Sequence, residues 1–215
     1  KRQYFLVSFP KTGRTWLIHM INQMKEQSNH KLKKEKYFIF NEHDNSEIIL
    51  EDGTRNNPLD VFKFTSRFRY KRGKVIFLVR DPRDVIISHF YQVTKRSKNP
   101  FVFNSISEFV KDDILGFKRI IHFYNLWKRN KDIPQDFLLV SYENLINNGI
   151  QELQKINDFL EINISKDSIR YIYEESSASK MREKEMNNKL EGFNNFGKSR
   201  NQLKVRNAKI GGYKS

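Results

Sequence analysis

A chain of 215 residues with 38% hydrophobic residues can bury one substantial core, which favours one domain or at most two small ones. The sequence has no cysteine, which excludes disulfides and thiolate metal sites, and no apolar run near the ~20 residues of a membrane span. A formal net charge of +15 indicates an anionic partner, such as a nucleic acid, a membrane surface or a phosphorylated small molecule.

The first informative segment is an apolar strand that runs into a loop carrying a lysine, a glycine and hydroxyl groups. The predicted strand is Gln3 to Phe9, and a helical pattern extends from Trp16 to Gln27 after the loop. Backbone N–H groups at such a helix N-terminus attract anions, and Lys11 adds a full positive charge. Because Lys11 precedes Gly13, the order differs from a Walker loop, and ATP hydrolysis is not the default interpretation.

A second unit of the same kind starts at Lys74 to Val79, an apolar run typical of a buried parallel strand. The strand ends in Arg80, at the place where open α/β sheets bind ligands. Ser88 lies on the helix that follows, so its hydroxyl could turn back toward Arg80. The alternative is that Arg80 forms an ion pair with Asp81 or Asp84, while Ser88 bonds to its own helix.

Further strand and helix patterns complete a doubly wound α/β arrangement. The runs Tyr37 to Phe40 and Phe137 to Ser141 read as strands, and helical patterns follow several of the strands. The segment Asp113 to Lys131 predicts an amphipathic helix whose apolar side belongs to the core. The polar segment Ser176 to Gln202 predicts a mobile surface loop or lid. No repeat or linker divides residues 1–215, so we expect a single domain, with either end open to extension.

The C-terminal run from Arg206 to Lys214 is basic and carries two glycines. Such a run can place backbone amides and a guanidinium around a phosphate, although an ordinary flexible tail would have the same composition. Together with the two strand ends, it describes a site for a nucleotide that has phosphates at two separate positions.

These motifs resemble the sulfotransferases that use 3′-phosphoadenosine 5′-phosphosulfate (PAPS), the family of the cytosolic and small bacterial enzymes. Pro10 to Trp16 is similar to the family's 5′-phosphosulfate loop, P-K-[ST]-G-[TRN]-T-W, and Val79 to Val85 with Ser88 is similar to its 3′-phosphate motif. The resemblance extends from Phe5 to Lys214. It implies an α/β, P-loop-like three-layer domain with a central, mainly parallel sheet flanked by helices.

The resemblance also implies a binding set for the donor nucleotide. Lys11 is a catalytic residue that contacts the leaving phosphate and the bridging oxygen, and Trp16 packs on the adenine. The residues between them supply backbone or hydroxyl contacts to the 5′ group: Thr12, Gly13, Arg14 and Thr15.

At the other end of the nucleotide, the resemblance implies that Arg80 and Ser88 bind the 3′-phosphate. Tyr142 falls where the family has a tyrosine near the base, and Ser177 resembles the serine of the adenine-side loop. The C-terminal run is similar to the family segment R-K-G-x-x-G-D-W-K, in which the nucleotide contacts fall on three positions: Arg206, Asn207 and Ala208. The first of these matches the family pattern and the other two depart from it.

Two placements compete for the base that removes the acceptor's proton, which the family usually takes from a histidine between the two phosphate motifs. Phe38 to Asp44 resembles the F-T-H-D form and makes His43 the catalytic base, because an imidazole suits proton transfer near neutral pH. Phe62 to Ser66 lies closer to the spacing of the K-T-H form. It would leave the hydroxyls of Thr65 and Ser66 at the base position and predict a crippled or redirected enzyme.

The predicted function is transfer of a sulfuryl group from PAPS to a hydroxyl or amine acceptor by in-line displacement, with release of 3′,5′-adenosine bisphosphate (PAP) and no metal. The acceptor stays open among carbohydrates, lipids, phenols and small alcohols. No stable membrane insertion is expected and the location is cytoplasmic, with an upstream anchor left open. The alternatives are a catalytically impaired nucleotide-binding member, a nucleic-acid-binding protein, which the buried strands disfavour, and a P-loop kinase, which the lysine order disfavours.

Overall fold

A four-stranded parallel β-sheet lies at the centre of the computed structural model, which describes residues 3–28, 38–42, 70–96, 100–187 and 209–214. Only the backbone is described for residues 38–42 and 96. The spatial order of the strands is β2-β1-β3-β4, and all three neighbouring pairs are parallel. The strands are β1 (Gln3–Ser8), β2 (Phe38–Glu42), β3 (Gly73–Val79) and β4 (Asp136–Ser141).

Helices follow three of these strands along the chain, as the predicted order of strand, loop and helix requires. A π-helical turn (Gln92–Arg96) and a 3₁₀ turn (Gly212–Lys214) complete the described elements. The α-helices are α1 (Arg14–Gln27), α2 (Pro82–Tyr91), α3 (Ile106–Lys111), α4 (Phe117–Arg129), α5 (Tyr142–Asn147), α6 (Gly149–Phe159), α7 (Lys166–Glu175) and α8 (Ala178–Met186).

Apolar side chains are buried on both faces of the sheet, which gives three layers. Alternate residues of β1 enter different clusters, since Tyr4 and Leu6 pack on one face and Phe5 and Val7 on the other. The first face is covered mainly by α1, α6 and α7, and the second mainly by α2, α3 and α4. The predicted three-layer α/β architecture is therefore confirmed.

The register of the strands brings three loops to one edge of the sheet. Ser8 at the end of β1 pairs with Leu78 near the end of β3, and Val79 pairs with Ser141 at the end of β4. Because parallel strands all point the same way, the chain leaves β1, β3 and β4 at nearly the same height. This carboxyl edge carries the residues considered below.

The helix predicted over Asp113 to Lys131 begins later, at Phe117. The Asp112 side chain accepts hydrogen bonds from the N–H groups of Ile114 and Leu115, at 3.0 and 2.6 Å, and so holds the preceding residues in a turn. The prediction that the apolar side of this helix is core is confirmed, because Phe123 and Trp127 are buried.

The predicted loop or lid over Ser176 to Gln202 is wrong for its described part. Residues 178–186 form α8, which is anchored by the buried side chain of Met181 and by an ion pair between Lys180 and Glu175. The remainder of the predicted lid, residues 188–202, lies outside the described residues. The helix has almost no apolar stripe, so hydrophobic periodicity did not reveal it.

The described helices include none whose length and apolar character would let it cross a bilayer.

Candidate functional site

The loop after β1, here called the Lys11 loop (residues 10–15), turns sharply into α1. Both Lys11 and Gly13 adopt left-handed backbone conformations, with φ of 73° and 98°. The buried Thr12 hydroxyl donates to the Phe9 carbonyl at 2.9 Å and closes the loop from inside. The Gly13 carbonyl accepts from the N–H of Trp16 at 3.0 Å and so starts the helix. The loop is held in shape before any ligand contacts it.

The N-terminal turn of α1 is suited to an anion. No side chain of the described residues caps it, and its first turn contains no acidic residue. The unsatisfied N–H groups of a helix N-terminus carry partial positive charge, and Lys11 lies directly before them. The Thr12 hydroxyl donates its proton within the loop, so Thr12 has its backbone N–H to offer an anion.

Gly13 packs directly against the Tyr142 ring. A Cβ at position 13 would lie 2.6 Å from Cδ2 of Tyr142, which is closer than van der Waals contact allows. Tyr142 is the first residue of α5 and only 6% exposed, and burial raises the pKa of its phenol. Tyr142, which directly follows β4, therefore packs against the Lys11 loop.

The Arg80 side chain links the Lys11 loop to Lys209 near the C-terminal end of the chain. Its guanidinium donates through Nη1 to the Lys11 carbonyl at 3.4 Å and through Nη2 to the Lys209 carbonyl at 3.1 Å. It lies over the Tyr142 ring, 4.3 Å from the centroid, and Nη2 is 3.7 Å from the Asp84 carboxylate. The ion pair with Asp84, given above as an alternative, is thus present, and Arg80 also contacts the chain on either side of the site.

The main chain of Arg80 is held by Tyr124 of α4. The Tyr124 hydroxyl accepts from the Arg80 N–H at 3.1 Å and donates to the Arg80 carbonyl at 2.9 Å. Burial raises the pKa of this phenol, which keeps it protonated and able to do both. Sequence patterns placed Tyr124 in the core, and nothing in them indicated this contact.

Lys11 reaches the far end of α2. Its ammonium Nζ donates to Oε1 of Gln92, the first residue of the π-helical turn, at 3.3 Å. Ser88 lies one turn earlier, is partly buried, and accepts the N–H of Gln92 with its carbonyl. The ammonium of the Lys11 loop therefore contacts the turn that follows α2.

Trp16, Tyr142 and the start of α8 form a separate group beside the loop. The Trp16 indole N–H donates to the Ser176 carbonyl at 2.7 Å, and its ring makes an edge contact with Tyr142 at 5.9 Å between centroids. Ser177 caps α8 by position and lies 3.3 Å from the Ser179 hydroxyl. The hydroxyl of Ser176 is buried and has no hydrogen-bond partner among the described residues, a polar atom that sequence analysis did not single out.

The C-terminal turn (residues 209–214) docks on the start of α2 through Asp84. The N–H groups of Gly211 and Tyr213 donate to the two Asp84 oxygens at 2.9 and 3.0 Å. The Arg83 guanidinium lies 4.2 Å from the Tyr213 ring centroid. The glycine-bearing basic run is therefore attached to the site over the residues described.

One comparison decides the family. The family model described as "Sulfotransferase domain" matches residues 1–215. The chain belongs to the sulfotransferase family. Among curated relatives it is similar to Sulfotransferase 2A1 of Mus musculus, at 27% identity over 194 residues, covering 85% of this chain and 67% of the relative. It is also similar to the 3-beta-hydroxysteroid sulfotransferase of Cavia porcellus, at 25% identity over 193 residues, covering 85% and 67%.

Solved structures resemble this sulfotransferase in fold. Mouse sulfotransferase SULT7A1 complexed with PAP has a TM-score of 0.64 at 20% identity, over 99% of this chain and 77% of that one. Retinol dehydratase in complex with androsterone and the inactive cofactor PAP also has a TM-score of 0.64, at 15% identity, over 100% and 76%. These matches agree with the predicted P-loop-like α/β fold.

The structure of this sulfotransferase brings together some of the predicted site residues and leaves others undescribed. Lys11 through Trp16, Arg80 and Tyr142 lie at the carboxyl edge of the sheet. Ser177 follows the Ser176 carbonyl that Trp16 contacts, and Ser88 lies in the second turn of α2. The residues outside the described part are His43, Thr65, Ser66, Arg206, Asn207 and Ala208. The described residues contain no cluster of three or more His, Cys, Asp or Glu that could hold a metal ion.

The Tyr124→Phe variant of this sulfotransferase should be less stable by about 1–3 kcal/mol, because the change leaves the N–H and the carbonyl of Arg80 without their partner. Urea unfolding should show a lower midpoint with an unchanged slope. Tyr171→Phe, at a side chain that is 57% exposed, is the matched control and should change stability by less than about 0.5 kcal/mol. Equal stabilities for the two variants would contradict a structural role for the Tyr124 hydroxyl.

Proposed function

We propose that the protein transfers a sulfuryl group from PAPS to a small-molecule acceptor by in-line displacement and releases PAP. The observation that carries this proposal is the link between Arg80 and the Lys11 loop, where Nη1 of Arg80 lies 3.4 Å from the Lys11 carbonyl. It places a guanidinium beside a helix N-terminus that is open to an anion. Lys11 follows β1 and Arg80 follows β3. Positive groups at two strand ends suit a nucleotide with phosphates at both its 5′ and 3′ ends.

The residues at the carboxyl edge fit the donor in their chemistry. The N–H groups of Gly13 to Thr15, at the start of α1, suit the 5′-phosphosulfate of the donor. Arg80 and Ser88 suit the 3′-phosphate, and Nε of Arg80 is buried without a partner among the described residues. Trp16, Tyr142 and Ser177 suit the adenine of the donor. They lie near the Ser176 hydroxyl, which has no hydrogen-bond partner among the described residues. Two structural neighbours were solved with PAP bound.

Lys11 is proposed to stabilise the charge that develops on the leaving group. Lys11 lies between the end of β1 and the open N-terminus of α1, and its ammonium is 3.3 Å from Oε1 of Gln92, so we propose that the side chain contacts the oxygen that departs. A positive group fixed where negative charge develops lowers the barrier without reorganising during the reaction. We propose this step without a metal.

The base for the acceptor's proton is proposed to be His43, with the hydroxyls of Thr65 and Ser66 as the competing placement. The chain leaves β2 at the same carboxyl edge as β1, because Glu42 at the end of β2 pairs with Val7 of β1, and His43 is the next residue in the sequence. We propose a hydroxyl or amine acceptor on a small molecule, carbohydrate or lipid, a single domain over residues 1–215, and a cytoplasmic location.

Ligand-dependent thermal stability tests the proposed donor. PAP at 100 times its Kd should stabilise the folded protein by about 2.7 kcal/mol, which corresponds to a rise in Tm of about 5–10 °C. Adenosine 5′-monophosphate, ATP with Mg²⁺ and an oligonucleotide at the same concentration should give much smaller shifts. An oligonucleotide or ATP shift as large as that of PAP would overturn the proposal, and transfer of labelled sulfate from PAPS would establish the activity directly.

A further inference from the structure

Asp84 is a buried carboxylate whose two oxygens both accept backbone hydrogen bonds from the C-terminal turn. Oδ2 accepts from the Gly211 N–H at 2.9 Å and Oδ1 from the Tyr213 N–H at 3.0 Å, and Asp84 is only 3% exposed. Gly211 has a φ of 74°, and a Cβ there would meet nothing within 4 Å. The left-handed turn at Gly211, rather than a lack of space, explains why the chain can present two N–H groups to one carboxylate.

The same carboxylate lies beside Arg80. Oδ2 of Asp84 is 3.7 Å from Nη2 of Arg80, and that nitrogen also donates to the Lys209 carbonyl at 3.1 Å. The Asp84 carboxylate, the Arg80 guanidinium and the C-terminal turn therefore each contact the other two through charge-assisted interactions. Such contacts are stronger than neutral hydrogen bonds and fix the orientation of a planar guanidinium.

This arrangement gives residues 209–214 a role of their own, beside the nucleotide contacts expected at Arg206, Asn207 and Ala208, which lie outside the described residues. The amides of Gly211 and Tyr213 are already bound by Asp84, so they cannot also serve as donors to a phosphate. The turn instead supplies the Lys209 carbonyl that orients Arg80 from one side, while the Tyr142 ring supports the guanidinium at 4.3 Å.

Building on the proposed function, we propose that Asp84 is a positioning residue of the nucleotide site. It fastens the C-terminal turn to the start of α2 and thereby fixes the Arg80 guanidinium in the orientation that receives the 3′-phosphate of the donor. Loss of its charge releases the turn and lets Arg80 move, so affinity falls for nucleotides that carry a 3′-phosphate. Affinity for nucleotides with only a 5′ phosphate falls much less, since Asp84 bonds to the C-terminal turn and to Arg80, whereas the open N-terminus of α1 keeps its N–H groups for the 5′ group.

The first test compares Asp84→Asn with Asp81→Asn in the full chain. Asp81 lies in the same turn, pairs with Arg83 at 2.6 Å and does not bond to the C-terminal turn among the described residues, which makes it a matched control. Asp84→Asn should weaken PAP binding by about 10- to 100-fold and adenosine 5′-monophosphate binding by less than about threefold. Asp81→Asn should leave both affinities within about twofold, because asparagine also caps helices.

Hydrogen exchange tests the attachment itself without any nucleotide. In Asp84→Asn the amides of residues 209–214 should exchange at least about tenfold faster, while those of α1 should keep their protection. A second pair of variants avoids changing the buried acid. Tyr213→Pro removes the N–H that Asp84 accepts, and Tyr213→Ala keeps it, while both lose the ring that lies against Arg83. The proline variant should reproduce the selective loss of PAP affinity, and the alanine variant should not.

The outcomes separate this proposal from the proposed function. If the wild-type protein binds PAP no better than adenosine 5′-monophosphate, the proposed donor is wrong. If it prefers PAP but Asp84→Asn weakens both nucleotides equally or neither, the donor proposal stands and the positioning role of Asp84 is overturned. Equal PAP affinities of Tyr213→Pro and Tyr213→Ala would also overturn it, even if Asp84→Asn fails to fold.

Discussion

Replacing Lys11 with methionine is expected to lower the rate of sulfuryl transfer by about 10²- to 10³-fold, while the Kd for the donor PAPS changes by less than about threefold. Methionine keeps most of the length of the side chain and removes the charge. Since neither residue is glycine, the cost of the left-handed backbone at φ 73° is similar in both. The loss should therefore report the charge that Lys11 places next to the leaving group.

Single-turnover measurements with PAPS would separate the chemical step from binding and product release. Lys118→Met is the matched control, because Lys118 is 83% exposed and paired only with an equally exposed Asp113 among the described residues. It should leave the rate within about twofold of the wild type. A Lys11→Met variant with a wild-type rate but weakened PAPS binding would show that Lys11 binds the donor and does not act on the leaving group.

Gly13→Ala is expected to destabilise the fold by about 2–5 kcal/mol and to abolish PAP binding at concentrations that saturate the wild type. One part, about 1–2 kcal/mol, comes from placing a Cβ in the left-handed region at φ 98°. A further part, about 1–3 kcal/mol, comes from the 2.6 Å approach to Cδ2 of Tyr142. The ring cannot easily move away, because it supports Arg80 on one side and contacts Trp16 on another.

Gly211→Ala provides the control for the backbone cost of Gly13→Ala. Gly211 also has a left-handed φ, of 74°, but a Cβ there meets nothing within 4 Å. The free energy of unfolding of the Gly211→Ala variant should fall by only about 1–2 kcal/mol. Urea unfolding of the two variants under the same conditions would give the difference, and equal losses would contradict the predicted collision with Tyr142.

Local sequence patterns were sufficient for the elements that surround the site. The apolar run of β1 and the helical pattern after Lys11 predicted the first strand, the loop and α1, because burial on both faces and a 3.6-residue period leave clear patterns. The same held for β3 and α2 around Arg80. The hydrophobic pattern of α8 is weak, because this helix carries few apolar residues, and the prediction of a loop there is wrong.

The contacts that hold the site together join residues far apart in the chain. Asp84 bonds to Gly211 across 127 positions, and Tyr124 brackets Arg80 across 44. The sequence offered an ion pair between Arg80 and Asp84 as an alternative. An aspartate in the first turn of a helix and a tyrosine on an amphipathic helix have common local explanations, so neither pattern indicated that Asp84 binds the C-terminal turn or that Tyr124 binds the main chain of Arg80. Their partners depend on which loops the strand register brings to one edge.

Local sequence patterns were therefore enough to predict the strands and helices around the two motifs and the resemblance to sulfotransferases, which the family match confirms. The contacts of Arg80 with the Lys11 loop and the C-terminal turn, and those of Asp84 with the amides of that turn, became visible in the folded structure alone. Hydrophobic periodicity is a property of neighbouring residues, whereas the partner of a buried charge is selected by how distant segments meet in three dimensions.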